Sequence, residues 1–167
     1  MVIIKRDFEN EFKVNKIRLV FGRRKTGKSY YVENYVDWHK YLFVYRDKSI
    51  KDIKTLENWN YDELKRYIQE NKDKQIVIDE FHRLGENFLD FLHSIRANNL
   101  ILITSSFHFA NNLLEKKSPV LGLTYPIKFT TILPKQILSA LKKEEKSIEY
   151  SILLLEPSLL DLFNFKE

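Results

Sequence analysis

Gly22-Arg23-Arg24-Lys25-Thr26-Gly27-Lys28-Ser29 satisfies G-x-x-x-x-G-K-[ST] at every fixed position. It directly follows an apolar run, Ile17-Arg18-Leu19-Val20-Phe21, and it precedes Tyr30-Tyr31-Val32-Glu33-Asn34-Tyr35-Val36, which reads as a helix. Strand, glycine-bearing loop and helix are together the context that makes this pattern a phosphate-binding loop. Gly22 and Gly27 carry no Cβ, so successive backbone N–H groups can turn inward around phosphate oxygens. The helix N-terminus adds unpaired donors and partial positive charge. Lys28 is expected to reach the β- and γ-phosphates, and the Ser29 hydroxyl to ligate Mg²⁺. The nucleotide-contacting set is therefore Gly22, Arg23, Arg24, Lys25, Thr26, Gly27, Lys28, Ser29 and Tyr30. A chance match in a glycine turn is disfavoured because the chain has only four glycines and two of them sit here.

Composition narrows the rest. A chain of 167 residues is long enough for one domain with a real core. Hydrophobic residues make up 44% and charged residues 31%, as in ordinary globular proteins. Without cysteine there are no disulfides, thiolate metal sites or cysteine nucleophile. The four histidines are scattered and form no metal motif. No apolar run approaches the ~18 residues of a membrane span, and the first residues lack a signal-peptide pattern. A cytoplasmic location with no membrane partner is the default expectation. The net charge of +5 mildly favours an anionic partner such as DNA, although Arg23, Arg24 and Lys25 already lie inside the glycine loop.

Along the chain, Val2-Ile3-Ile4 suggests a short edge strand, while Phe8, Phe12 and Val14 fit helix or strand equally. Strand Ile17–Phe21 is followed by a helix from about Lys28 to His39. Tyr41-Leu42-Phe43-Val44-Tyr45 predicts a strand. Asn60 or Trp59 caps a helix whose Tyr61, Leu64, Tyr67 and Ile68 share one face. After Ile76–Asp79, Phe88 to Ile95 predicts an amphipathic helix. Leu100–Ile103 is a continuous apolar strand, as expected where helices cover both faces. Phe107–Glu115 reads as helix and Ile127–Leu133 as strand. Pro134 opens another helix, and Tyr150–Leu155 is a last candidate strand. This alternation predicts an α/β, three-layer P-loop NTPase fold with a mainly parallel central sheet in the order 5-1-4-3-2. A single domain spanning 1–167 is expected, with its core at about 17–133 and a short extension over 134–167.

Ile76-Val77-Ile78-Asp79-Glu80 has the form of a Walker B strand, whose carboxylates emerge beside the loop. Asp79 is expected to hold Mg²⁺, largely through its waters, and Glu80 to activate the attacking water. The alternative, an acidic cap for the following helix, leaves the upstream loop unexplained. Small-molecule kinases need no such glutamate, and they carry an arginine-rich lid that has no counterpart in 134–167. Thr104, Ser105 and Ser106 end the next strand; one of them contacts water or γ-phosphate, or they simply cap the next helix. Asp79-Glu80-Phe81-His82 also spells a helicase D-E-x-H box, but the second domain such helicases need is not expected here. His82 is a strand-end residue or a γ-phosphate contact.

These motifs resemble those of archaeal P-loop ATPases of the AAA-like/STAND group, in the ASCE division. Phe21 to Ser29 is similar to their G-x-R-R-x-G-K-[ST] loop, and Val77-Ile78-Asp79-Glu80-Phe81 to their "IDEFQ" segment. Ile103-Thr104-Ser105-Ser106 resembles their "TGSS" strand end, and Lys117 to Gly122 their "SPLYGR" stretch. The resemblance covers about Ile17 to Leu133 and implies an ATP hydrolase using ATP and Mg²⁺, with Lys28 and Glu80 catalytic. Leu123 stands where the family has an arginine, and the family's long C-terminal region has no match, so a bare ATPase core is expected. An arginine supplied in trans by a homo-oligomer, which raises turnover by roughly 10³–10⁵ in such sites, is one expected remedy. Arg96 is another candidate. The competing readings are a DNA-translocating ATPase of the FtsK/HerA type and a nucleotide-gated module that binds a protein partner with little turnover.

Overall fold

A computed structural model describes residues 6, 8–95, 97–115, 118 and 120–133. The elements are α1 (Glu9–Phe12), β1 (Ile17–Phe21), α2 (Lys28–Tyr35), β2 (Lys40–Val44), β3 (Ile50–Asp52), β4 (Asn58–Trp59), α3 (Tyr61–Glu70), β5 (Ile76–Asp79), α4 (Glu86–Ile95), β6 (Leu100–Thr104), α5 (Phe107–Leu114) and β7 (Thr124–Lys128). A 3₁₀ turn, Phe81–Leu84, separates β5 from α4.

The strands form one sheet in the order β4-β3-β2-β5-β6-β1-β7. The pairs β2–β5, β5–β6, β6–β1 and β1–β7 are all parallel. From β7 to β2 this is the 5-1-4-3-2 order of a P-loop NTPase. An antiparallel hairpin, β3–β4, extends it beyond β2. Side chains alternate along each strand, so the two faces carry separate apolar clusters. Leu19, Leu42, Ile78 and Leu102 face α3, α4 and α5 through Leu64, Ile68, Phe88, Leu92 and Leu113. Val20, Tyr41, Val77 and Ile101 pack with Phe12, Tyr31 and Val32 from α1 and α2. Because both faces are covered, β1, β5 and β6 are buried throughout, which explains why they are almost wholly apolar, with Arg18, Asp79 and Thr104 the buried polar exceptions.

At the amino ends of the strands, Arg18 is nearly fully buried and has no acidic partner among the described residues. Its guanidinium donates to the carbonyls of Val14, Lys16 and Asn98 and to Gln75 Oε1, gathering the loops that feed β1, β5 and β6. Burial lowers its pKa to about 10, so it remains a cation at neutral pH.

Several boundaries differ from expectation. Helix α2 stops at Tyr35 because Val36 is already extended, and His39 N–H donates to Gln75 O to enter the sheet. The strand expected at 127–133 instead runs from Thr124 to Lys128, with Pro126 exposed opposite Leu19. An edge strand tolerates a proline, since one side of its backbone needs no donor. The Phe8–Val14 segment resolves as the short helix α1. The β3–β4 hairpin is too short and too polar to read from periodicity. The strands expected at Val2–Ile4 and Tyr150–Leu155, the helix opened by Pro134, and Arg96 lie outside the described residues. Among the described residues no helix is long and apolar enough to cross a membrane.

The hairpin is held by chemistry more than by length. Asp52 is buried, and its carboxylate accepts from Lys40 Nζ at 2.6 Å and from the backbone N–H groups of Lys54 and Thr55. Lys40 also sits over the rings of Trp59 and Tyr67. Burial alone raises the Asp52 pKa, but these donors overcome it and leave the group below its usual range. A depressed folded-state value stabilises the fold above the unfolded pKa of about 3.9, and that contribution is lost as pH falls through the folded value. Asp52→Asn is expected to cost about 1–3 kcal/mol at pH 7 in chemical denaturation, with the gap to wild type closing below about pH 4.

At the other edge, Gly22 has φ +155°, and a Cβ there would lie 2.1 Å from the carbonyl oxygen of Phe129. The Phe129 N–H donates to Phe21 O at 2.7 Å, so this approach is fixed by the extension of the β1–β7 pairing. Gly22→Ala is expected to lower the thermal midpoint sharply, by the equivalent of about 3 kcal/mol or more, because backbone and not a side chain must move.

Candidate functional site

The parallel order brings the carboxyl ends of β1, β2, β5 and β6 to one edge, and a cleft of about 450 Å³ opens there. Gly27, Lys28, Ser29, Glu80 and Ser105 line it from the loop and from the ends of β5 and β6. Arg24, Lys25, Tyr30, Arg46 and Arg83 complete its walls. A slightly larger hollow of about 470 Å³ lies beside β4 and α3 and contains none of the motif residues, so it is not the site of this chemistry.

The loop is shaped by its backbone. Lys25 and Gly27 both take left-handed conformations, at φ 63° and 80°, and Gly27 is the N-cap of α2 with no side-chain cap bond. Lys28 is buried, and its Nζ donates to the carbonyls of Gly22 at 3.0 Å and Arg23 at 2.7 Å. The buried Thr26 hydroxyl donates to the same Arg23 carbonyl at 2.9 Å. Burial lowers the Lys28 pKa, the charges of Asp79 and Glu80 raise it, and Arg24 lowers it again. Arg23 thus supplies its carbonyl to the loop's inner bracing, while the Arg24 and Lys25 side chains reach the cleft wall.

Asp79, the last residue of β5, is buried and accepts three hydrogen bonds. Ser29 Oγ donates to Oδ2 at 2.6 Å, Tyr41 OH donates to Oδ2 at 2.8 Å, and Glu80 N–H donates to Oδ1 at 2.8 Å. Burial dominates and raises the Asp79 pKa, although the two hydroxyls pull it down. Tyr41 is pushed far above its ordinary value by burial and by the Asp79 charge, so it stays a donor. Ser29 and Asp79 therefore present two hard oxygen ligands side by side. Mg²⁺ characteristically takes one or two protein oxygens and completes its shell with phosphate and water, and this pair fits that habit.

Glu80 follows in a left-handed conformation, φ 56° and ψ 34°, at the start of the 3₁₀ turn. Its Oε2 accepts from Ser105 Oγ at 3.1 Å and lies 3.4 Å from His82 Nδ1 and 3.7 Å from Arg83 Nη2. The three hydroxyls at the end of β6 separate cleanly. Ser105 faces Glu80. Ser106 caps α5 by accepting from Phe109 N–H at 3.3 Å. Thr104 is fully buried, 2.9 Å from His82 Nδ1, and accepts from Ser106 N–H. His82 bridges Thr104 and Glu80, and burial lowers its pKa.

Three residues in or directly behind the cleft, Tyr41, Arg46 and Arg83, escape the sequence motifs. Tyr41 projects from β2, two residues before the register position of Asp79, and nothing local marks it. Arg46 lies just past the carboxyl end of β2, which the rule for open α/β sheets would have flagged. Arg83 lies three residues after Glu80, on the 3₁₀ turn. Leu123, in place of the resembling family's arginine, packs against the core, and its carbonyl accepts from Ile17 N–H.

The comparisons bear on this geometry. A family model described as an AAA domain matches residues 14–119. None of the curated proteins matches the sequence. Among solved structures, the chain is similar to a signal transduction ATPase with numerous domains (STAND) protein with a tetratricopeptide repeat sensor from Pyrococcus horikoshii, with TM-score 0.61 and 16% identity. That similarity covers 99% of this chain and 30% of the other, so the present chain spans under a third of that protein's length. Cdc6p from Pyrobaculum aerophilum is 15% identical over 86% of this chain and 46% of its own, with TM-score 0.41. With its mostly parallel sheet and its glycine loop at the carboxyl end of β1, the chain belongs to the AAA domain family of P-loop ATPases.

Proposed function

We propose that this cleft binds ATP with Mg²⁺ and hydrolyses the bond to the γ-phosphate. The observation that carries the reading is the 2.6 Å contact between Ser29 Oγ and Asp79 Oδ2, with Glu80 the next residue and Lys28 the previous one. One element supplies phosphate and metal ligands, the other a metal ligand and a base, and the fold brings them to hydrogen-bonding distance.

In this reading the backbone N–H groups from Gly22 to Ser29 cradle the phosphates, and Lys28 exchanges its two loop carbonyls for β- and γ-phosphate oxygens. Tyr30, exposed on the cleft wall, contacts the nucleotide beyond the phosphates. Ser29 and Asp79 hold Mg²⁺, whose role is to neutralise phosphate charge. Glu80 takes a proton from water as the water oxygen bonds to the γ-phosphorus. The bond from that phosphorus to the β–γ bridging oxygen breaks, its electron pair stays with ADP, and inorganic phosphate is released. Ser105 holds Glu80 in place. Arg24, Lys25 and Arg46 add positive charge around the polyphosphate. A DNA or protein partner, and assembly with further copies, are outputs that this cycle could serve.

Lys28→Ala is expected to abolish binding of a fluorescent ATP analogue, and Glu80→Gln to keep binding while reducing phosphate release by about 10²–10⁴-fold. Chelation of divalent cations is expected to stop turnover in wild type. Unchanged nucleotide affinity in the Lys28 variant would sink the assignment.

A further inference from the structure

A general base on a carboxylate needs one oxygen available to water and a fixed orientation for the other. Glu80 meets the second condition unusually well. Ser105 Oγ, His82 Nδ1 and Arg83 Nη2 all converge on Oε2, at 3.1, 3.4 and 3.7 Å. Oε1 receives no hydrogen bond among the described residues. The side chain is therefore gripped by one oxygen with the other left available.

Of the three groups, Arg83 is the one anchored outside the motif. Its Nη1 donates to Val44 O at 2.6 Å, at the carboxyl end of β2, and its guanidinium lies over the Phe43 ring at 5.6 Å. The side chain is mostly buried, at 16% exposure. It spans the step between β2 and the turn after β5 and lines the same cleft as Lys28 and Ser29. Glu80 also needs such a support. Its left-handed backbone is strained for a residue with a Cβ and persists only where the surroundings over-determine it. A planar guanidinium can serve the Val44 carbonyl and the Glu80 carboxylate at once, which a lysine amine at the end of a flexible stem reproduces poorly.

We propose that Arg83 is a positioning residue in cis: tied to the end of β2, it holds Glu80 through Oε2 so that Oε1 serves as the base. This rests on the hydrolytic reading above. It assigns to an arginine of this chain an orienting task that no neighbouring subunit need supply, whatever charge a second copy adds.

The test compares Arg83→Ala, Arg83→Lys, Glu80→Gln and the Arg83→Ala/Glu80→Gln double variant. Affinity for a fluorescent ATP analogue, kcat and the thermal midpoint are measured for each. The expected result is a loss of about 10²-fold in kcat for Arg83→Ala, the scale of a misplaced catalytic group, with nucleotide affinity retained. Arg83→Lys is expected to recover part of that loss. In the Glu80→Gln background, removing Arg83 is expected to lower residual turnover no further, because Arg83 acts through the carboxylate already replaced. Unchanged kcat in both Arg83 single variants overturns the proposal. So does a loss of nucleotide affinity with kcat retained, which would make Arg83 a phosphate ligand, or a full further loss in the double variant. If Arg83→Ala does not fold, Arg83→Lys decides by the same criteria. Wild-type protein that binds ATP without turning it over overturns both this inference and the hydrolytic reading, whereas turnover lost in Lys28→Ala but kept in both Arg83 variants overturns this inference alone.

Discussion

A single carboxylate oxygen, Asp79 Oδ2, joins three parts of the protein that are far apart in sequence. It accepts the Ser29 hydroxyl from the start of α2 and the Tyr41 hydroxyl from β2, while the acid itself ends β5. Burying a carboxylate is costly unless it is hydrogen-bonded, and here two hydroxyls and a backbone N–H are committed to it. Burial nevertheless keeps its pKa raised, so the charge is only partly compensated by these donors. The same oxygen that ties these elements together is the one offered beside Ser29 to the proposed Mg²⁺.

Everything else serves to place that oxygen. Parallel strands point their carboxyl ends the same way, so the glycine loop, Asp79-Glu80, Ser105 and Arg46 meet at one edge. The amino ends carry a different burden, with Arg18 collecting four neutral acceptors. β7 closes the arrangement from the far side, its continuation bringing the Phe129 carbonyl against Gly22. The first glycine of the loop is thus demanded by a neighbouring chain segment as well as by its own dihedral angle.

The glycine loop between strand and helix, the acids at the end of β5 and the strand order were legible because each depends on local chemistry or on a rule of connection. A parallel strand covered on both faces is apolar along most of its length, and β1, β5 and β6 announce themselves that way. Asn60 and Glu63 likewise encode their helix start as a reciprocal capping box. The β3–β4 hairpin was not legible: three residues and two residues carry no periodic signal, and its anchor is a Lys40–Asp52 pair formed across strands. The β7 boundary differs from the alternation over 127–133 because the strand begins at Thr124 and accommodates Pro126 on its exposed side.

The sequence by itself determined that a glycine loop of the G-x-x-x-x-G-K-[ST] pattern follows a buried strand and that two adjacent acids stand at the end of another, since those features depend on residue type and short spacing. It left Thr104, Ser105 and Ser106 equivalent. Only the tertiary structure distinguished them, burying the first, aiming the second at Glu80 and spending the third on α5. The same holds for Tyr41 and Arg83, whose partners are 38 and 39 residues away or are reached across a turn. Hydrogen bonds between strand ends depend on register, and register is set by the whole sheet.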